Sequence, residues 1–303
     1  MSDHRKYPAM MNWTESLQRL PRNLHVGTSS FSSSDWVGPF YPPKTKPRDF
    51  LAHYATQLGT VEIDATWHAM PARKTVEGWA EKAPESFRFS FKVPKIITHE
   101  KVLVDCGEDW AQFLDALEPL QGRLGAVLLQ FPYFSKKRDP EEWAEGRDFL
   151  ARLEQFLALK PDDLRIVVEV RNPSWIGPRL LDLLHSKNTA LALVEYPNIP
   201  NGPTLLESCN PITADFCYVR FLGNHREMDL LVAEARENGA RSGDWGSLIV
   251  DRDVATRAWV PSLRELVEKN LDVFVYFNNH YAGFAPGSIE QFLQLWHSAD
   301  ESL

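Results

Sequence analysis

Cysteine is scarce in this 303-residue chain and follows no pattern. Cys106, Cys209 and Cys217 are odd in number and far apart, which gives neither the paired spacing of a zinc site nor the density of a disulfide scaffold. Reduced thiols are the simpler expectation. Positive charge is also short: 33 Lys and Arg stand against 41 Asp and Glu, for a net charge of -8. No global field draws the chain to phosphate backbones or anionic lipid, so nucleic acid is a poor partner, although a local basic pocket stays open. No apolar run approaches the length of a membrane span. The opening MSDHRKYPAMMNWTESLQRLPRN lacks the apolar stretch of a secretory signal. The expectation is a cytoplasmic protein in which residues 1–23 form an N-terminal extension and residues 24–303 one domain. GxGxxG and GxxxxGK[ST] are missing after every candidate strand, as are HxH, HExxH and CxxC anywhere.

What the chain does have is apolar material, 44% hydrophobic with 12% aromatic residues, enough for a large core. Short β-branched runs alternate with amphipathic helical patterns throughout, the signature of parallel βα units. There are eight such runs: residues 24–28, 60–64, 87–92, 125–130, 165–171, 189–195, 216–222 and 272–278. Between them run stripes at helical spacing, such as Phe50, Leu51, Tyr54, Ala55 and Leu58, bounded by Pro47 and Gly59. The α/β class follows, and eight strands predict a single (β/α)8 TIM-type barrel. A doubly wound open sheet produces the same alternation, but without the glycine-rich fingerprints it loses ground. Two connections are unusually long, 131–147 after the fourth strand and 223–260 after the seventh.

Because alternate strand residues share a face, parity predicts which side chains meet at the C-terminal mouth of a barrel. Glu62 pairs with Asp64, Ser90 with Lys92, Glu169 with Arg171 and Tyr218 with Arg220, while Gln130 and Asn278 end their strands correspondingly. Three acids and three bases thus converge, a set that suits either a functional site or a self-balanced ion network. The arginine forks of Arg171 and Arg220 favour an anionic or polar ligand, with Asp64 beside them. Glu62, Glu169 and Lys92 are the candidates for proton transfer. Rings crowd the same loops: Phe31, Trp36, Phe40, Tyr41, Trp67, Trp175 and Tyr196 either stack on a ligand or plug the mouth. His68, His99, His225 and His280 lie near strand ends, and a metal rests on ligand count alone, so none is assigned. The serine-rich turn 29–36 offers hydroxyls to an anion or simply faces solvent.

Seven motifs occur in order: VGTSSFSSSDWVGPFYP (26–42), VEIDATWHAMP (61–71), FRFSFKVPKIITH (87–99), LGAVLLQFP (124–132), VVEVRNPSW (167–175), YVRFLG (218–223) and VYFNNHYAGFAPGS (275–288). Together they resemble the YecE-like family, also called domain of unknown function 72, over residues 24–297. The resemblance implies a TIM-type barrel and no established activity, and its motif positions include Trp36, Glu62, Lys92, Gln130, Glu169, Arg171, Arg220, Asn278 and Asn279. The chain departs from the pattern at His68, near which a Tyr is usual, and at Leu222–Gly223, where His-Gly is usual. The leading expectation is a metal-independent enzyme acting on a small anionic or polyhydroxylated compound. Arg171, Arg220 and Trp36 would bind it, Gln130, Asn278 and Asn279 orient it, and no cofactor is indicated. A metal-dependent hydrolase or isomerase is the second reading, and a metabolite sensor or adaptor acting through residues 223–260 the third.

Overall fold

Each of the eight apolar runs forms a strand in the computed structural model, which describes residues 13–137, 147–237 and 245–300. The strands are β1 Leu24–Thr28, β2 Thr60–Ile63, β3 Arg88–Lys92, β4 Leu124–Gln130, β5 Ile166–Glu169, β6 Ala190–Glu195, β7 Phe216–Phe221 and β8 Asp272–Phe277. All neighbours pair in parallel in sequence order, and β8 returns to β1 to close the barrel. Closure decides against the open doubly wound sheet. Strands buried on both faces explain why the runs read as continuous Val, Ile, Leu and Phe rather than as a simple alternation.

The pleat sorts the strand residues into two separate cores. Val61, Ile63, Phe89, Phe91, Leu129, Val168, Leu193, Val219 and Phe277 face outward against the helices. Ala126, Leu128, Val167, Ala192, Val194, Phe216, Tyr218, Phe274 and Tyr276 fill the barrel interior. Small residues matter where two strands approach closely. A Cβ at Gly27 would lie 2.2 Å from the Thr60 carbonyl oxygen, so β1 and β2 tolerate no larger side chain there.

The helical stripes form the outer layer: α1 Trp13–Gln18, α2 Phe50–Gln57, α3 Arg73–Lys82, α4 Gly107–Leu117, α5 Arg147–Leu157 and α6 Pro178–Ser186. After these come α7 Gly202–Ser208, α8 His225–Glu237, α9 Asp253–Glu268 and α10 Ala285–Asp300. Helix α1 lies in the expected extension yet packs on the barrel, with Leu17, and Leu20 just beyond the helix, against the core and the Ser16 carbonyl 3.0 Å from His297 Nε2. Helix α7 has no counterpart in the sequence reading. It is capped by Asn201, whose Oδ1 accepts the Thr204 N–H at 3.1 Å.

The two long connections behave differently from plain loops. After β4, Phe131 and Phe134 are buried, while residues 138–146 of that connection lie outside the described residues. The stretch after β7 carries α8, which anchors through buried Met228 and Val232, and from Asp253 the barrel helix α9. Residues 238–244 between them lie outside the described residues. No helix among the described residues is long and apolar enough to cross a membrane.

Candidate functional site

The barrel interior changes character from bottom to top. At mid-height, Tyr276 shares its hydroxyl with Thr60 Oγ1 at 2.7 Å and Ser90 Oγ at 2.9 Å, and Ser90 Oγ accepts the Ala126 N–H. One level higher, Arg220 from β7 reaches across the barrel. Its Nε and Nη2 donate to both oxygens of Glu62 at 2.8 and 2.7 Å, and its Nη1 donates to Glu169 Oε2 at 2.6 Å. Tyr218 adds a third hydrogen bond to Glu62 at 2.7 Å. Burial, and then the Glu62 carboxylate, push the Tyr218 phenol well above its ordinary pKa, so it stays a donor. Glu62, Glu169 and Arg220 are almost wholly shielded from solvent, at 0, 1 and 3% exposure.

Above this layer opens a cavity of about 750 Å³, lined by Asp64, Lys92, Gln130, Arg171, Arg220, Asn278 and residues of the surrounding loops. Arg171 stacks its guanidinium 3.7 Å from the Tyr196 ring centroid and sets Nη2 2.6 Å from Glu169 Oε1. That contact is an ion pair, and Arg171 Nη1 is buried with no hydrogen-bond partner among the described residues. Lys92 holds its Nζ 4.7 Å from the Trp67 ring centroid, and no described carboxylate pairs with it. A register shift in the β3–β4 ladder between Phe89 and Phe91 precedes it. Trp67 in turn donates to His99 Nδ1 at 3.3 Å, as does Thr98 Oγ1 at 2.8 Å, which leaves the His99 proton on Nε2.

The electrostatics follow from this crowding. Burial, reinforced by Arg220, lowers the Lys92 ammonium to about 8 against the opposing pull of Glu169 and Glu62. Burial and the Glu62 carboxylate raise Asp64 to about 6, with Arg220 and Lys92 opposing. Burial alone would raise Glu169, but Arg171 and Arg220 hold it below the usual carboxylate range. Burial lowers His99 and His225 to about 4 each, helped at His99 by Lys92 and at His225 by His280. Two groups that titrate on either side of neutrality, Asp64 and Lys92, therefore line one cavity.

The expected residues divide by depth. Asp64, Lys92, Gln130, Arg171, Arg220 and Asn278 reach the cavity. Glu62 and Glu169 do not line it; they lie beneath, with their oxygens on the arginines. Gln130 turns its Nε2 onto the Phe131 carbonyl. Asn278 accepts from His280 N at 3.0 Å, and Asn279 Oδ1 accepts the Ala285 N–H at 2.9 Å at the start of α10. Trp36 is 2% exposed and packed by Phe40, Tyr41 and Phe284, which leaves no free ring face for stacking on a ligand. Trp175 likewise stacks on Phe134 and Phe149, whereas Tyr196 serves Arg171. His225, expected only as a metal candidate, lines the cavity with a buried Nε2 that has no hydrogen-bond partner among the described residues. It stacks on His280 with centroids 4.2 Å apart. That arrangement rests on Gly223, whose φ of 65° and close approach to the His280 carbonyl, 2.3 Å from an added Cβ, exclude a side chain. Among the described residues, no three His, Cys, Asp or Glu side chains are grouped to hold a metal ion.

A closed parallel barrel with its polar groups gathered at the C-terminal mouth defines a (β/α)8 protein of the TIM-barrel type. Residues 25–303 match the family described as protein of unknown function DUF72, and the chain belongs to that family. UPF0759 protein YunF of Bacillus subtilis is 25% identical over 285 residues, 90% of this chain and 94% of YunF. A DUF72 family protein of Thermotoga maritima, known from a crystal structure, is 24% identical with a TM-score of 0.67, covering 91% of this chain and 99% of its own. The barrel of a D-tagatose 3-epimerase-like protein is similar in fold, with a TM-score of 0.51 at 12% identity over 92% of this chain and 99% of its own.

Proposed function

We propose that this protein is an enzyme that binds a small anionic, hydroxylated compound at the barrel mouth and moves a proton on it without a resident metal. One observation carries the reading: Arg171 Nη1 is buried with no hydrogen-bond partner among the described residues, in the wall of a cavity that also holds Lys92, which makes no ion-pair contact with a described carboxylate. A buried guanidinium nitrogen left without an acceptor is costly, and a ligand oxygen supplies one. Arg220, committed on three sides to Glu62 and Glu169, serves as the platform beneath rather than as the clamp.

Asp64 and Lys92 are the proton carriers in this reading, with values of about 6 and about 8. At neutral pH the carboxylate is mostly ionised and accepts a proton from the substrate, while the ammonium donates one to the oxygen on which charge develops. Glu62 and Glu169 act through Arg220 and Arg171 and are positioning residues. The fold likeness to a D-tagatose 3-epimerase-like protein supports a hydroxylated substrate by analogy alone. Epimerisation beside a carbonyl is itself a proton transfer of the kind these two groups suit.

The test is a thermal-shift screen of metal-stripped protein against sugar phosphates, sugar acids, ketoses and divalent metals, followed by proton–deuterium exchange of any binder in heavy water. The reading expects an anionic compound to raise the melting temperature, an Arg171→Met variant to lose that response, and deuterium to enter the bound compound. Stabilisation by a divalent metal alone would replace it with the metal-dependent hydrolase or isomerase. Binding without exchange would leave a sensor.

A further inference from the structure

A second, smaller cavity of about 150 Å³ opens beside the first, between the ends of β1 and β8. Its wall includes Ser29, Trp36, Asp64, Asn278 and Asn279. Asp64 and Asn278 line both cavities, so the two lie side by side with these residues between them. Ser29 Oγ and Trp36 Nε1 are buried in residues only 2% exposed, and neither has a hydrogen-bond partner among the described residues. A native fold keeps very few such orphans, and two in the wall of one small cavity mark a place where something polar is received.

The donors define what that is. An indole N–H only donates, and a serine hydroxyl donates or accepts, so the incoming group must bring acceptor oxygens. Asn278 and Asn279 spend their side-chain oxygens on His280 N and Ala285 N, which leaves their amide N–H groups as further donors. Among the lining groups Asp64 brings a carboxylate, which repels an anion here, while the ring of His280 is engaged, with Nε2 3.1 Å from Asp229 Oδ1. A neutral hydroxyl or carbonyl oxygen fits both conditions. At about 30 Å³ per water the space takes about five water-sized groups, the bulk of a short hydroxylated chain.

Resting on the function proposed above, we infer that the substrate spans both cavities as a hydroxylated anion. Its carboxylate or phosphate lies on Arg171, its hydroxyl-bearing tail enters the pocket of Ser29 and Trp36, and the carbon that loses its proton lies at the junction beside Asp64. Trp36 reads the substrate through its N–H edge, since its ring is enclosed by Phe40, Tyr41 and Phe284.

The experiment measures dissociation constants for four probes: inorganic phosphate, D-fructose, D-fructose 6-phosphate and D-gluconate. Each is titrated into the intact protein and into Ser29→Ala, Trp36→Phe and Arg171→Met variants. Ser29→Ala deletes only an orphaned hydroxyl and is expected to keep or raise the melting temperature, whereas Trp36→Phe also removes packed ring volume and is expected to fold with a lower one. Either the sugar phosphate or the sugar acid should bind at least about tenfold more tightly than inorganic phosphate, which tells phosphate from carboxylate. Ser29→Ala and Trp36→Phe should each weaken that probe by about five- to tenfold and leave inorganic phosphate unchanged, whereas Arg171→Met should weaken both. Equal effects of the Ser29 and Trp36 variants on phosphate and on the hydroxylated probe, or none on either, would overturn the subsite while Arg171-dependent binding upheld the proposed function. D-fructose binding that depends on Trp36 but not on Arg171, with no anion bound, would uphold the subsite and overturn the anion reading. No binding by any probe would overturn both.

Discussion

Arg220 is the side chain on which the upper barrel depends. Removing it leaves Glu62 with no cation and Glu169 with Arg171 alone, in a layer almost wholly shielded from solvent. An Arg220→Ala variant should therefore lose about 3 to 5 kcal/mol in urea denaturation, the cost of stranding buried carboxylates. Arg171→Met should lose far less, because one face of Arg171 meets the cavity and its loss strands only Glu169 Oε1. Asp64 and Lys92 make a prediction about pH. The proposed proton transfer requires Asp64 without its proton and Lys92 with it, so kcat/KM should rise through about pH 6 and fall through about pH 8. Folding responds in the opposite sense at Asp64. Its carboxyl holds the proton more tightly folded than unfolded, so it stabilises the fold below its ordinary value of 3.8, and that contribution disappears as the pH climbs through about 6. Asp64→Asn should consequently raise stability at pH 7 by about 2 to 3 kcal/mol, at about 1.4 kcal/mol per pH unit, while abolishing turnover. Parity along the strands was enough to gather these charges in advance, but not to rank them. It put Glu62 and Asp64 on one face, yet β2 ends at Ile63 and Asp64 turns into a helical conformation with ψ of -21°. Which acid lies under an arginine and which meets the cavity depends on that single turn, and strand alternation does not extend into it.

Elements carry these residues only as accurately as the loops between them are tied. The connection after β4 brings Tyr133 to the cavity, and Asn172 beyond β5 holds it there. The Asn172 amide copies a strand neighbour: its Oδ1 accepts the Phe134 N–H at 2.9 Å and its Nδ2 donates to the Phe134 carbonyl at 2.8 Å. Asn172→Ala should strand both buried backbone groups, at a cost of about 2 to 5 kcal/mol. Hydrogen exchange should then show the Phe134 amide newly accessible, with weaker ligand binding; protection like that of the parent chain would show the loop to be held by Phe131 and Phe134 packing alone. Such ties are hard to read in advance, because Phe134 and Asn172 are distant in sequence and neither belongs to a periodic stretch. The same holds for α7 and α8. Helix α7 is too short for its stripe to stand out, and in the charged run from His225 the buried pair Met228 and Val232 is diluted by Arg and Glu.

At the scale of the whole molecule, the two ends of the barrel do different work. Parallel strands buried on both faces leave a strong apolar trace, so the count of eight and the closure it implies were legible, along with the end on which the charged cavity opens. The small cavity was legible only in part: Trp36, Asp64, Asn278 and Asn279 were expected at the mouth, but no local pattern connects the turns after β1, β2 and β8 and Trp245 into one pocket. The opposite end of the barrel holds its own polar group: Arg165 pairs with Asp272 at 2.5 Å while covering Phe216 and Phe274, and His25 lies 3.7 Å from the same carboxylate. Both partners of the Arg165–Asp272 pair are about one-third exposed, at 36 and 35%, so solvent screening limits the pair to about 1 kcal/mol or less. Along β8, Asp272 and Asn278 are six residues apart, about 20 Å of strand, with the Phe274 layer between them. Substitutions at the two ends should therefore add. Asp272→Asn is expected to lower stability slightly with ligand affinity unchanged, Arg171→Met to lower affinity, and the double variant to match the sum in both measurements within about 0.5 kcal/mol. Coupling beyond that margin would mean that the interior transmits strain along its full height, and the bottom of the barrel would then have to be counted as part of the site.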